Sequence, residues 1–153
     1  HLTMASPPST IGERGQRPRA IAEALEALYA ARTAGNGDEY ASYFAPDARM
    51  TIVGNPAISP GAGMRLGRES IARHLEGLHE VNAYLGYTIE DIVAEGDKVA
   101  VRWTAEVRFL DNGRIGHYDV LDHISIRDGL IVELMHFYDT GGMGIARGRI
   151  KIA

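Results

Sequence analysis

Asp122 stands where an acid is expensive. In the run Tyr118-Asp119-Val120-Leu121-Asp122-His123-Ile124-Ser125-Ile126-Arg127, residues two apart share one face of a strand. One face carries Tyr118, Val120, Asp122, Ile124 and Ile126, and Asp122 is its only charged group. A buried carboxylate without partners either shifts its pKa and neutralises or finds hydrogen bonds. Held neutral in an apolar pocket, Asp122 would be a hydrogen-bond donor and a candidate catalyst. The structural alternative is an aspartate that caps neighbouring backbone at a sheet end.

The elements that position this strand read from both sides of it. Pro18 suits the first residue of a helix, and Ile21, Ala24, Leu25, Leu28, Tyr29 and Arg32 follow amphipathic spacing until Gly35-Asn36-Gly37. Asp38 is an expected N-cap for a short second helix through Phe44, closed by Pro46. Ala48 to Val53 reads as a strand with Met50 and Ile52 on one face. The loop from 54 to 67 is rich in glycine and proline, a length that tends to be functional or mobile. A third helix is expected from Arg68 to Val81, with Ile71, Leu75 and Leu78 as its buried stripe and His74 bordering a pocket.

Strands alone are expected after that helix. Thr88–Glu95 leads through Gly96-Asp97 to Val99–Phe109, where Val99, Val101, Trp103, Ala105, Val107 and Phe109 alternate with polar neighbours. Asp111-Asn112-Gly113 and Asp128-Gly129 are hairpin signals on either side of the Asp122 strand, and Leu130–Tyr138 ends the series. The four glycines after Asp139 argue against a regular element. The expected divisions are a disordered arm over 1–16, one domain over 17–140 and a flexible tail over 141–153. Helices followed by hairpins mean an α+β fold: helices packed on one face of a sheet, with a small-ligand pocket between them if the sheet curves.

Composition narrows the function. The 153 residues suffice for one domain with a real core, 45% are apolar, and the net charge of −4 gives no case for nucleic acid or an anionic membrane. The absence of cysteine excludes disulfides, thiolate catalysis and cysteine-based zinc sites. No apolar run reaches membrane-span length and no signal-peptide segment is evident, so a cytoplasmic location is expected. His117, Asp119 and His123 share the face opposite Asp122 and do not converge with it, so a metal site is not expected.

Several segments together resemble the NTF2-like superfamily, in its SnoaL-like polyketide cyclase and ketosteroid isomerase branch. They are Phe44-Ala45-Pro46-Asp47-Ala48, Gly67-Arg68-Glu69-Ser70-Ile71, Ala94-Glu95-Gly96-Asp97-Lys98-Val99, Arg127-Asp128-Gly129-Leu130-Ile131-Val132-Glu133 and Phe137-Tyr138-Asp139. The resemblance covers about residues 18 to 140 and implies a cone of three N-terminal helices on a curved mixed or antiparallel sheet that encloses a pocket. It also implies a homodimer, with the outer sheet face as its surface.

Asp122-His123-Ile124-Ser125-Ile126 is similar to a ketosteroid isomerase segment whose aspartate stays protonated and donates to the substrate enolate. The partner donor of that family, a tyrosine on the first helix, falls near Tyr29, and its general base falls at Ile52. The SnoaL-like cyclases and limonene epoxide hydrolase carry a catalytic aspartate where this chain has His136. Alternation groups His136 with Val132, Leu134 and Tyr138, so it shares the expected cavity with Asp122 and can serve as base or acid. The Arg and Asp of the epoxide hydrolases fall at Trp103 and Ala105, which weakens that activity.

The resemblance thus implies a cofactor-free isomerase, cyclase or lyase acting on a small hydrophobic carbonyl compound. Asp122, His136 and Tyr29 would be its catalytic groups, and Met50, Ile52, His74, Trp103, Tyr118, Val120 and Tyr138 the substrate wall. Packing alone is the other reading of Tyr29, Trp103 and His136. A binding or assembly module, favoured by Ile52 at the base position, is the alternative for the whole chain.

Overall fold

The computed structural model describes residues 11–153. Its helices are α1 (Ile11–Ala34), α2 (Gly37–Ser42), α3 (Arg68–Val81) and α4 (Thr140–Ala146). Its strands are β1 (Phe44–Ile52), β2 (Gly63–Leu66), β3 (Asn82–Glu95), β4 (Lys98–Phe109), β5 (Ile115–Arg127) and β6 (Leu130–Tyr138). The six strands form one mixed sheet in the order β2-β1-β6-β5-β4-β3, antiparallel except where β1 runs parallel to β6. The α+β class and the enclosing curved sheet are as expected.

The period-two pattern places the core. On β4, Val99, Val101, Trp103, Ala105, Val107 and Phe109 are all buried, and on β5 so are Tyr118, Val120, Asp122, Ile124 and Ile126. Leu25 and Leu28 of α1 and Ile71 and Leu75 of α3 close over this face. Each such aliphatic side chain contributes about 1.5–3 kcal/mol by leaving water. The opposite face is wetter, with Leu121 and Phe137 exposed.

Four differences from expectation have local causes. Helix α1 begins at Ile11 rather than Pro18, while residues 1–10 of the expected arm lie outside the described residues. Asn36, not Asp38, caps α2, its side-chain oxygen accepting from the Glu39 amide at 3.1 Å. Strand β1 begins at Phe44, before Pro46, because its pairing with β6 is interrupted between Phe44 and Arg49, and a bulge tolerates a residue with no N–H.

The fourth difference concerns the stretch expected to be a tail. A fourth helix, α4, follows the last strand, so the helices are not confined to the N-terminal part. Asp139 caps it, accepting from the Gly142 amide at 2.9 Å. Its glycines serve close approach: a Cβ at Gly144 would lie 2.6 Å from the Ile150 side chain, and one at Gly142 would strike the capping carboxylate.

Candidate active site

Two strand registers bring the expected acid and base together. Asp122 of β5 lies directly opposite His136 of β6, and His136 lies opposite Ile52 of β1. Side chains at such paired positions are within reach of one another. The His136 Nδ1 atom is 2.6 Å from Asp122 Oδ1, with the two side chains 5% and 1% exposed. The other carboxylate oxygen, Oδ2, accepts from the Tyr29 hydroxyl at 2.6 Å and from the Trp103 indole N–H at 2.9 Å.

This arrangement corrects the expected protonation of Asp122. Burial by itself pushes the Asp122 carboxyl up. The His136 charge, the hydrogen bonds from His136 and Tyr29, and the Arg32 charge outweigh it and hold the group below its ordinary value. Asp122 is therefore an ionised acceptor of three hydrogen bonds and not a neutral donor. Asp122 is not among the residues that line the adjacent cavity.

An ionised Asp122 fixes the hydrogen on the adjoining imidazole nitrogen. A carboxylate only accepts, so His136 Nδ1 carries the hydrogen and donates it to Asp122. Tyr118 Oη lies 2.5 Å from the other ring nitrogen, Nε2. Burial, the largest cause, raises Tyr118 well above an ordinary phenol, so Tyr118 keeps its proton; a neutral His136 ring accepts it at Nε2, whereas an imidazolium donates to the Tyr118 oxygen. Burial and the Asp122 charge likewise raise Tyr29. The result is a buried relay, Tyr118 to His136 to Asp122, with Tyr29 and Trp103 fastening its far end.

The near end of the relay opens on a cavity of about 190 Å³. Of the substrate wall expected from sequence, Ile52, His74, Tyr118 and Tyr138 line it together with His136. Met50 lines a small annex of about 10 Å³ next to it. Trp103 and Val120 are buried and absent from both linings, and the Tyr118 ring lies edge-on to Trp103 at 5.5 Å between centroids. Tyr29 is outside both linings as well, its hydroxyl ending on Asp122. His74 is pushed down to about 3, chiefly by burial and further by the charges of Arg65, Arg32 and His136, and is therefore neutral. Its Nε2 is buried without a hydrogen-bond partner among the described residues.

Sequence reasoning missed Arg32, Tyr84 and the α4 end of the cavity. Arg32 lies in the last turn of α1, is only 5% exposed and lines the cavity. Its Nη1 donates to the Tyr84 hydroxyl at 2.9 Å, and its guanidinium lies over the Trp103 ring at 4.9 Å. Its signal in the sequence was its place on the apolar stripe of α1, where a basic last-turn residue ordinarily reads as a helix-end charge. Tyr138 Oη shares a short hydrogen bond with Ser59 Oγ, which ties the long loop to β6. Among the described residues no cluster of histidine, aspartate and glutamate has the form of a metal site, and no helix is long and apolar enough to cross a membrane.

The fold and this site define a class of protein. The chain belongs to the SnoaL-like domain family, whose model matches residues 25–134. The solved structures similar to it are NTF2-like. One is a protein with a ketosteroid isomerase-like fold from Catenulispora acidiphila, in complex with trimethylamine, at 18% identity and a TM-score of 0.70, with 81% of this chain and 91% of that one covered. TerC, co-crystallised with polyporic acid, matches at 23% identity and a TM-score of 0.70, over 81% and 95% of the two chains. An LEH-like epoxide hydrolase of M. tuberculosis matches at 20% identity and a TM-score of 0.64, over 82% and 88%. At such identities the likeness is one of fold. No curated protein is a significant sequence match to this chain.

Proposed function

We propose that this protein catalyses proton transfer next to a carbonyl group, as an isomerase, cyclase or lyase acting through side chains alone. The observation that carries the reading is the buried Tyr118–His136–Asp122 relay, which ends on a cavity. In this scheme the Tyr118 oxygen takes a proton from the substrate carbon as its own hydrogen passes to His136 Nε2. Asp122 then stabilises the imidazolium. Return of the proton to another carbon or loss of a leaving group would complete isomerisation or elimination. His136 thus keeps its expected place in moving the proton, while Asp122 and Tyr29 act through it.

Deuterium uptake from D2O into a panel of small ketones and keto acids, followed by proton NMR, tests the proposal. The parent protein is expected to exchange at least one of them, and Tyr118→Phe and His136→Gln should each slow that exchange by about 10²–10⁴-fold. Variants that exchange as fast as the parent would remove the relay from the chemistry.

A non-catalytic binding module is the second reading. It is favoured by Ile52, an alkyl side chain in the cavity at the position of the family's general base. Tight binding of a ketone that never exchanges would favour it. Epoxide hydrolysis is less well supported, since Trp103 and Ala105 are buried apolar residues at the positions of its Arg and Asp.

A further inference from the structure

We propose that the ligand of this cavity is a small organic monocarboxylate and that Arg32 is the residue that binds its carboxylate. This names the substrate class for the site of the proposed reaction and rests on that reading only in taking this cavity as the working site.

The argument starts from an unbalanced charge. A guanidinium stays protonated at any ordinary pH, and burying it without a counter-charge is costly. Arg32 is 5% exposed, yet among the described residues no carboxylate forms an ion pair with it. Its neighbours are phenols and an indole: Tyr84 accepts its hydrogen bond, and the rings of Trp103, Tyr84 and Tyr118 lie within 4.9–5.9 Å. Cation–π contact offsets part of the desolvation but leaves the charge in place. Asp122 feels the Arg32 charge through space, but both its oxygens are taken by His136, Tyr29 and Trp103.

The cavity repeats the same imbalance. Its lining holds Arg32, Arg147 and Arg149 and no aspartate or glutamate, so a ligand there meets positive charge only. His74 adds an independent observation, because its buried Nε2 has no partner and the ring is neutral. A neutral imidazole has one N–H to give, and Arg32 has several, so a carboxylate seated between them would satisfy both. The class follows from the remaining surface. Arg149 is exposed and Arg147 is committed to Asn82 and to the Phe109 ring, which leaves Arg32 as the one buried guanidinium of the lining without a paired carboxylate, a place for a monoanion. The other walls include Ile52, Ile58, Leu78, Val107 and Met143, which suit a carbon skeleton rather than inorganic phosphate.

Trp103, the only tryptophan of the chain, lies under the Arg32 guanidinium and reports on it. Benzoate, benzamide and inorganic phosphate would each be titrated against the full chain while Trp103 emission is followed. Benzoate should shift the emission saturably at millimolar concentration, with benzamide and phosphate at least about tenfold weaker, the scale of one charge-assisted contact. Arg32→Gln should weaken benzoate by about tenfold or more, and Arg32→Lys, which keeps the charge but not the planar fork, by less. If Arg32→Gln does not fold, Arg32→Lys and the benzamide comparison carry the test. Equal binding of benzamide, tighter binding of phosphate, no response to benzoate, or an unaltered Arg32 variant overturns the assignment. Benzoate carries no exchangeable proton beside a ketone, so its binding is read without proton exchange, and failure of the one is told apart from failure of the other.

Discussion

Asp119 and Asp122 stand three residues apart on β5 and differ in almost everything that follows from facing opposite ways. Asp119, on the wet face, accepts from Arg102 at 3.1 and 2.9 Å, and the two side chains are 41% and 52% exposed. Asp122, on the inner face, accepts from His136, Tyr29 and Trp103 with its side chain 1% exposed. Both carboxyls lie below their ordinary value, for different reasons. For Asp119 the hydrogen bond from Arg102 is the largest influence and lowers it, whereas for Asp122 burial is the largest influence and drives the other way, so only its donors and neighbouring charges hold it down. Solvent screens the first pair, and its loss is tolerated. The second holds a charge in a place without water, so each donor is needed.

The widest gap between the two should appear on truncation. Asp122→Ala leaves three buried donors unmatched and is expected to lower stability by about 3–5 kcal/mol in urea unfolding, the range for breaking a buried pair. Asp119→Ala should leave the unfolding midpoint close to that of the parent. A comparable loss in both would mean that burial does not separate them. At the near end of the relay, Tyr118→Phe should retain the fold by circular dichroism while losing about 10²–10⁴-fold of exchange activity. The outer Arg102→Ala should retain both.

The response to pH sharpens the comparison further. Asp122 has a depressed folded value, so its contribution is full above the ordinary 3.8 and is lost as pH falls through the lower folded value. His74 is held neutral when folded, at about 3 against an ordinary 6.5, so the unfolded chain binds the extra proton between those values. Stability should therefore decline as pH drops from about 6.5 towards 3, by at most about 1.4 kcal/mol per pH unit for one proton. Burial lowers His79 as well, adding to the decline. His74→Asn should flatten that window and leave the loss below 3.8 in place, a distinction that urea melts across pH would show. Trp103→Phe, which removes one of the two donors to the buried Asp122 Oδ2, should cost about 1.5–3 kcal/mol, the range for a hydrogen bond to a charged group.

How much of this could be read before folding depends on whether the information is local. Alternation along β5 and β6 places Asp122 and His136 on one inner face, and their direct pairing follows from the register of adjacent strands. Alternation does not reveal the ionisation of Asp122. That state depends on the Trp103 indole N–H and the Tyr29 hydroxyl arriving from β4 and α1, which are tertiary contacts. Arg32 was hidden for a similar reason, since only the rings of Tyr84, Trp103 and Tyr118 make its burial tolerable. Helix α4 was hidden by its glycines, whose use is to admit Ile150 and the Asp139 cap at close range.

The ionised state of Asp122 is most directly tested by the carbon-13 shift of its carboxyl group, followed by NMR through acid. A carboxylate at neutral pH that takes up its proton only below 3.8 is the predicted result. A carboxyl group still protonated at neutral pH would contradict the relay and restore the neutral donor.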